Sequence, residues 1–448
     1  MRSEHRNGPG RRTDGLIFVF LGSIVFLVMG IALRHVSPIE MGDFKVVYYS
    51  ARCLLHGGDP YRETDVLRIY QAEGRENPSE PVLDRQVKTR FFYPPTAFLV
   101  TLPFAVVGFS AGKLLWTILL AGLLILASIL AWDIGADYAP VVSGALAGLL
   151  LMNSFWLYMV GNAAAIAVSL CVIAVWSFYR ERFLLLGVLC LALSLALKPN
   201  DSGLVWLFLL LAGRPFRKRA LQTLAAFAVL SLPIVLWVTH LAPHWFAELR
   251  ANMASFFTVG GIVDPAVTGM AGRNMDSLVQ LQSFISVLFS RPADYSLICW
   301  AVCAPLILLG GLLTLVRGRT AHGIWLALAV AAPLSMLPTY HLQHDAKILL
   351  LTIPACAMLW SQRNPIGRLS LLFTGAAIVI NGDIFSAIRI VMTRGILVPE
   401  ANLASELATA VLTRPAPLIL LATAIFYLCR YATRGRLQIE LRKDSAAG

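Results

Sequence analysis

The strongest constraint on this sequence is the length of its apolar runs. Residues 15–33 form an uninterrupted apolar stretch, and further apolar segments recur along the chain to about residue 433. About 20 apolar residues are enough for a helix to cross the hydrocarbon core of a bilayer. A transmembrane barrel would instead give short segments of alternating hydrophobicity. The pattern therefore predicts an all-α, polytopic integral membrane protein.

The composition supports a membrane protein and argues against a soluble one. The chain of 448 residues is 58% hydrophobic and only 14% charged, and its mean hydropathy is +0.71. The net charge of +12 fits basic cytoplasmic loops, so we expect membrane lipids and no nucleic acid as partners. The seven cysteines have no spacing that indicates a disulfide framework or a metal site.

Basic residues set the expected orientation. Four arginines precede the first apolar run, which we interpret as an uncleaved span that leaves residues 1–14 in the cytoplasm. Residues 34–92 then form an extracytoplasmic loop that we expect to be catalytic, residues 241–291 a second large one, and residues 434–448 a cytoplasmic tail. We predict about twelve spans in a single domain. The four apolar segments between residues 95 and 180 are one too many for this orientation, so either one of them fails to span or two form a single bent unit, and the sequence does not say which.

The first loop opens with an amphipathic stretch. Its apolar residues recur at helical spacing, and they are Phe44, Val47, Tyr48, Ala51, Leu54 and Leu55. Gly57 and Gly58 fit the end of such a helix. We expect the helix to lie flat on the membrane surface. Asp43 stands at its start, where it could serve as an N-cap or take part in chemistry.

Polar residues gather at the predicted outer ends of the spans. They are Asp43, Asp59, Tyr61, Tyr93, Asn162, Lys198, Arg273, Asn274, His341, His344 and Asp345. Ionisable groups at membrane depth are costly and are therefore candidates for function. Snorkelling would also explain an interfacial lysine or arginine, an aromatic belt would explain the tyrosines, and a turn before Pro60 would explain Asp59.

Several short motifs in the chain resemble glycosyltransferase family 87, which belongs to the GT-C class. The motifs are Asp43-Phe44 with Tyr48-Tyr49, residues 57–61, residues 92–96, Gly161-Asn162, residues 196–198, Asn274 with Ser277, and Tyr340 with His344, Asp345, Leu350 and Pro354. Together they extend from Asp43 to about Pro354. Met275 departs from the pattern, because the family has glutamine there.

The resemblance implies a GT-C fold and transfer of a hexose, with mannose favoured, from a polyprenyl-phosphate donor to a lipid or glycan acceptor. The reaction would be inverting, with Asp43 as general base, at the outer face of a bacterial cytoplasmic membrane. Cationic side chains would stabilise the leaving phosphate, and the candidates are Lys198, Arg273, His341 and His344. Candidate substrate contacts are Tyr48, Asp59, Tyr61, Tyr93, Asn162, Asn274 and Asp345. No cofactor is expected, and a divalent metal is left open.

Two other functions fit the same sequence features. A non-catalytic transporter or flippase of lipid substrates would share the spans and the basic groups, but it would not need a carboxylate at the bilayer edge. A GT-C enzyme with another donor, such as a diphosphate-linked or pentose sugar, would share the carboxylate as well. Transfer of label from a lipid-phosphate sugar to an acceptor distinguishes the predicted enzyme from a transporter. Competition between donors distinguishes it from a GT-C enzyme that uses another donor.

Overall fold

The structure is a computed structural model that describes residues 9–36, 41–73, 88–257, 278–289, 291–393 and 403–444. Within these ranges the secondary structure is helical, apart from one isolated antiparallel bridge between Leu278 and Leu342. The prediction of an all-α protein is therefore confirmed. Arg273 and Asn274, two of the candidate site residues, lie outside the described residues.

The helices, in chain order, are α1 (Pro9–Val36), α2 (Gly42–Leu55), α3 (Glu63–Ala72), α4 (Phe98–Ala105), α5 (Phe109–Gly135), α6 (Pro140–Met152), α7 (Phe155–Val160), α8 (Ala164–Arg180), α9 (Leu184–Leu197), α10 (Pro199–Leu211), α11 (Arg214–Leu241), α12 (Trp245–Phe257), α13 (Leu281–Ile285), α14 (Pro292–Arg317), α15 (Ala321–Met336), α16 (Ile353–Trp360), α17 (Pro365–Ile380), α18 (Asp383–Thr393), α19 (Leu403–Thr413) and α20 (Pro415–Asp444). A 3₁₀ turn, Pro95–Ala97, precedes α4, and a longer 3₁₀ segment, Asp345–Thr352, leads into α16.

Fewer helices are long enough to cross a membrane than the sequence predicts. Six described segments qualify by length and composition: α1, α5, α6 with α7, α11, α14 and α20. The pair α17 and α18, bent by 63°, would be a seventh. The prediction of about twelve spans is therefore too high. Apolar helices such as α8, α9 and α15 have only 17, 14 and 16 residues, and at about 1.5 Å per residue they fall short of a hydrocarbon core of about 30 Å.

One of the four apolar segments between residues 95 and 180 is short and is held near both ends by hydrogen bonds. At its start, Thr96 Oγ1 donates a 2.7 Å hydrogen bond to the carbonyl of Ala196. At its finish, the carbonyl of Ala105 accepts a 2.9 Å hydrogen bond from Arg52 Nη1 of α2. The segment Pro95–Ala105 is too short to qualify as a span, and so is α8, whereas α6 with α7 qualifies as one span.

Helices with opposite surroundings form the centre and the rim of the protein. Most side chains of α8 are buried, and so are those of α15 apart from Ala321 and His322 at its start, as expected of helices that are apolar on all sides. By contrast, α11 leaves large apolar side chains exposed, including Val229 at 72%. Such faces fit contact with lipid, so the described helices form a membrane-embedded protein.

Close helix packing fixes the position of α1, which leads directly to α2. A Cβ atom added to Gly22 of α1 would lie 2.4 Å from the carbonyl oxygen of Gly148 in α6. Small residues allow the two backbones to approach this closely, as at other membrane helix contacts. The far end of α1 is tied by an ion pair of 2.9 Å between Arg12 and Asp137, and Asp137 also pairs with Arg180 of α8.

The helix that carries Asp43 is buried in the protein. Ten of its 14 residues are buried, including Lys45 and Tyr49, which do not belong to the apolar face predicted from the sequence. The helix is therefore largely enclosed by protein, and its orientation to the membrane surface stays a prediction. The helix packs against α3, α4 and α5, and its aromatic rings contact Phe109 at the start of α5.

Candidate functional site

Asp43 occupies the first turn of α2 and does not cap the helix. The residue in the N-cap position is Met41, which adopts the left-handed conformation (φ 56°) and makes no side-chain capping bond. The carboxylate of Asp43 instead accepts a 2.7 Å hydrogen bond from Nδ2 of Asn162. The N-cap interpretation of Asp43 is therefore wrong. The helix ends as predicted, with Gly57 in the left-handed conformation (φ 76°).

The turn between α7 and α8 places Asn162 against Asp43. Gly161 adopts a left-handed conformation (φ 69°) there, and its carbonyl accepts a 2.9 Å hydrogen bond from Trp116. The Oδ1 atom of Asn162 accepts a 2.8 Å bond from the backbone N–H of Ala164. Because this contact uses the oxygen of the amide, its NH₂ group must face Asp43 and donate to it.

Burial raises the pKa of Asp43 to about 6, although the hydrogen bond from Asn162 and the positive charge of Lys198 oppose the shift. A carboxyl group with a pKa near 6 is ionised at neutral pH and is a stronger base than an ordinary aspartate. Perturbed carboxyl groups of this kind concentrate at functional sites.

A cavity of ≈ 640 Å³ connects Asp43 with the end of α9. We call it the Asp43 cavity. Its polar lining comprises Asp43, Asn162, Lys198, Asn200, Gln280, Gln282, Thr339, Tyr340, Tyr93 and Asp345, and its apolar lining comprises Val46, Phe92, Pro94, Leu197, Pro199, Leu249, Met253, Phe256, Trp300, Pro338 and Leu342. Five of the candidate residues thus border one space: Asp43, Tyr93, Asn162, Lys198 and Asp345. The size and the apolar wall are those of a small-molecule or lipid site.

Among the described residues that line the cavity, Lys198 is the cationic one. It sits between α9 and α10, where Pro199 starts the second helix, and its ammonium group donates a short hydrogen bond to Asp345. The other oxygen of Asp345 accepts a 2.9 Å bond from the backbone N–H of Leu342. Burial alone would lower the pKa of Lys198, but the carboxylates of Asp201 and Asp345 raise it well above its ordinary value. The side chain is therefore charged at neutral pH.

The two candidate histidines lie behind the wall of the cavity, and neither belongs to its lining. His341 is fully buried, and its Nε2 atom is 3.4 Å from Asp201 Oδ1 and 3.2 Å from Asn200 Nδ2. Although burial opposes it, the hydrogen bond to Asp201 and the charge of Asp345 raise the pKa of His341. Burial lowers the pKa of His344 to about 3. His344 is therefore neutral at pH 7 and has no positive charge to offer a phosphate.

Three further candidates make internal contacts away from the Asp43 cavity. Tyr48 donates its hydroxyl to the carbonyl of Val107 at 2.9 Å. Asp59 accepts a 2.9 Å bond from the backbone N–H of Tyr61, which is the turn interpretation of the sequence. The hydroxyl of Tyr61 donates to the carbonyl of Tyr93 at 2.9 Å. These three side chains therefore stabilise the loop through internal hydrogen bonds. The substrate contacts predicted for them from the sequence stay predictions.

Sequence reasoning did not single out Asp201, the most deeply placed carboxylate of the site. It lies in the first turn of α10, three residues after Lys198, and its Oδ1 atom is 3.6 Å from Lys198 Nζ. The spacing of Lys198 and Asp201 could have predicted their contact, because a helix that starts at Pro199 puts residues three positions apart on the same side.

Asp201, His341 and Asp345 offer ligand atoms that all lie within 4.8 Å of one another. Imidazole and carboxylate ligands suit several divalent metals. Because the ammonium group of Lys198 contacts both carboxylates, a metal ion would compete with Lys198 for this position.

Comparison of the chain with models of protein families, with curated proteins and with solved structures finds no match. Functional assignment therefore depends on the sequence motifs and on the geometry of the Asp43 cavity. That geometry combines a carboxylate of raised pKa, a charged lysine and a long apolar wall, which together can remove a proton from a hydroxyl group and bind an amphiphilic anion.

Proposed function

We propose that this protein is a membrane glycosyltransferase that uses a polyprenyl-phosphate-linked hexose, mannose in the first instance, as its donor. The observation that carries the proposal is the position of Asp43 and Lys198 on the wall of one cavity. This placement supports the reaction implied by the resemblance to glycosyltransferase family 87, because that reaction needs a base and a phosphate-binding cation around the same sugar.

In the proposed reaction, Asp43 accepts the proton of an acceptor hydroxyl group while the oxygen attacks the anomeric carbon. The bond between that carbon and the donor phosphate breaks, and the phosphate leaves with the bonding electrons as a polyprenyl phosphate. The configuration at the anomeric carbon is inverted, because attack and departure occur on opposite faces. The leaving group is already a stable anion, so the site needs a cation beside it and no second acid.

Lys198 fits the role of that cation. Its ammonium group reaches the cavity wall and remains charged at neutral pH because two carboxylates lie beside it. The apolar side chains of Phe92, Met253 and Phe256 supply a surface for the first isoprene units of the donor. We place the site at the extracytoplasmic face of a bacterial cytoplasmic membrane, because the basic residues favour a cytoplasmic N-terminus.

A transfer assay tests the proposal. The purified protein, reconstituted in bilayer nanodiscs, would receive a polyprenyl-phosphate mannose labelled in the sugar together with a membrane lipid extract as the source of acceptors. We expect label to appear in a new glycolipid with release of polyprenyl phosphate. In sealed vesicles, movement of intact labelled donor across the bilayer without loss of its sugar would instead support a flippase. Label transfer only from a diphosphate-linked donor would support a different GT-C reaction.

A further inference from the structure

The ammonium group of Lys198 lies between two carboxylates that differ in their access to the Asp43 cavity. Asp345 belongs to the lining of the cavity, whereas Asp201 is 1% exposed and does not. Asp345 contacts the ammonium group directly, and Asp201 Oδ1 lies 3.6 Å from it. The two carboxylates therefore share one cation, and of the two only Asp345 also borders the cavity.

An anion that enters the cavity must share Lys198 with Asp345. Each phosphate oxygen that approaches the ammonium group weakens the contact with Asp345, because both compete for the same N–H donors. If Asp345 were the only counter-charge, the exchange would leave the ammonium group free to move towards the anion or away from the wall. The carboxylate of Asp201 is not exposed to this competition.

Asp201 is also linked to His341. The Nε2 atom of His341 lies 3.4 Å from Asp201 Oδ1, the same oxygen that faces Lys198. On its other side, Nδ1 of His341 lies 3.0 Å from the carbonyl of Thr339, a residue of the cavity lining. Within the described residues, neither oxygen of Asp201 accepts a hydrogen bond from the backbone, and the nearest basic groups to Oδ1 are Lys198 Nζ at 3.6 Å and His341 Nε2 at 3.4 Å.

We propose that Asp201 is a positioning residue, which holds Lys198 at the wall of the Asp43 cavity while a phosphate group displaces Asp345 from the ammonium group. The inference rests on the proposed function, because it assigns the cavity a phosphate-bearing lipid. It adds different roles for the two carboxylates. The phosphate group replaces Asp345 at the ammonium group of Lys198, and Asp201 stays in place.

Binding of a polyprenyl phosphate and of the corresponding polyprenol separates positioning from a general structural role. The two ligands differ only in the phosphate group, so the ratio of their affinities reports the phosphate contact. In the full-length protein in nanodiscs, we expect Asp201→Asn to weaken binding of the phosphate about tenfold and to leave binding of the alcohol unchanged. Asp201→Glu keeps the charge and should restore most of the phosphate preference.

Asp383→Asn is the matched control. Asp383 is a fully buried aspartate whose Oδ1 atom lies 4.0 Å from Lys347 Nζ, and neither residue borders the Asp43 cavity. The same chemical change there should leave the ratio of phosphate to alcohol affinity as in the wild type. Equal losses for phosphate and alcohol in Asp201→Asn, or an unchanged ratio, would overturn the proposal.

A second comparison keeps the test decisive if Asp201→Asn does not fold. Lys198→Met alone leaves Asp201 and Asp345 without their cation, whereas the double variant Lys198→Met with Asp201→Asn leaves only Asp345 uncompensated, so the two variants can be compared. We expect no further loss of phosphate preference in the double variant, whereas an added loss would show that Asp201 acts without Lys198. Intact phosphate preference without sugar transfer in the wild type would contradict the proposed function and leave this inference standing.

Discussion

Asn162 Nδ2 donates a 2.7 Å hydrogen bond to Oδ2 of Asp43 and joins two elements that are 119 residues apart in the chain. The contact orients the carboxylate and stabilises its charged form, because a donor to a carboxylate favours ionisation. Its direction is fixed by the bond that Asn162 Oδ1 accepts from the backbone of Ala164. The turn before α8 thus opposes the effect of burial, which raises the pKa of Asp43.

Sugar transfer should depend on pH through Asp43. Its pKa of about 6 predicts that kcat/KM rises as the pH passes through about 6 and levels off above, because only the carboxylate accepts a proton. Asn162→Ala removes a contact that lowers the pKa, so the pKa of Asp43 rises and the ascending limb moves to higher pH. The measurement is kcat/KM of both proteins from about pH 5 to about pH 8. A limb at the same pH in both would contradict this account.

Changes at Lys198 should affect the donor more than the acceptor. Lys198→Met removes the cation of the cavity lining, and we expect the KM for the donor to rise about tenfold or more while the KM for the acceptor stays within about twofold. His344→Gln is the comparison, because His344 is neutral at pH 7 and lies outside the lining. It should leave the donor KM unchanged. A rise in acceptor KM alone for Lys198→Met would remove the phosphate contact from the mechanism.

Gly161 should not tolerate a side chain. A Cβ atom at this position would lie 2.5 Å from Met41 Cε and 2.9 Å from Phe44 Cβ, and the residue has a positive φ of 69°. We expect Gly161→Ala to cost about 1–3 kcal/mol of stability and to reduce transfer, since the first turn of α2 must shift. Gly122→Ala in the interior of α5 meets no atom within 4 Å and should be neutral or slightly stabilising. The melting temperatures of both variants in detergent test this prediction. Equal melting temperatures would contradict the expected difference between Gly161→Ala and Gly122→Ala.

Tyr61 should contribute to stability rather than to substrate binding. Tyr61→Phe removes the hydrogen bond to the carbonyl of Tyr93 and leaves a buried acceptor without that partner. The expected loss is about 1–2 kcal/mol in the free energy of unfolding, with unchanged KM values for donor and acceptor. A specific rise in either KM without loss of stability would return Tyr61 to the substrate contacts predicted from the sequence.

The helical class and the ends of helices that carry the site were accessible from the sequence. Gly57 and Pro199 mark helix boundaries through their own backbone preferences, which do not depend on the rest of the protein. These boundaries put Lys198 at a helix end, as the sequence predicts. The grouping of Lys198 with Asp43 around one cavity is a tertiary feature that only the structure describes.

Other predictions failed because hydropathy does not distinguish lipid from protein interior. The apolar helices α8 and α15 are buried among other helices, yet their composition is the same as that of a lipid-facing span, which inflated the count of spans. The amphipathic pattern of α2 likewise leaves Lys45 and Tyr49 outside its apolar face, whereas packing against neighbouring helices buries both. Asp201 and His341 meet across 140 residues of sequence, and no local pattern encodes such a pair.

The most direct measurement compares Asp43→Asn with Asp59→Asn in the transfer assay. Both aspartates lie in the first loop, and in both variants an amide oxygen can still accept the hydrogen bond that the carboxylate accepted, from Asn162 or from the N–H of Tyr61. We predict that Asp43→Asn lowers the transfer rate by about 10²–10⁴ while donor binding and melting temperature stay near those of the wild type, and that Asp59→Asn transfers sugar at close to the wild-type rate. Normal transfer by a folded Asp43→Asn protein would contradict the assignment of Asp43 as the base.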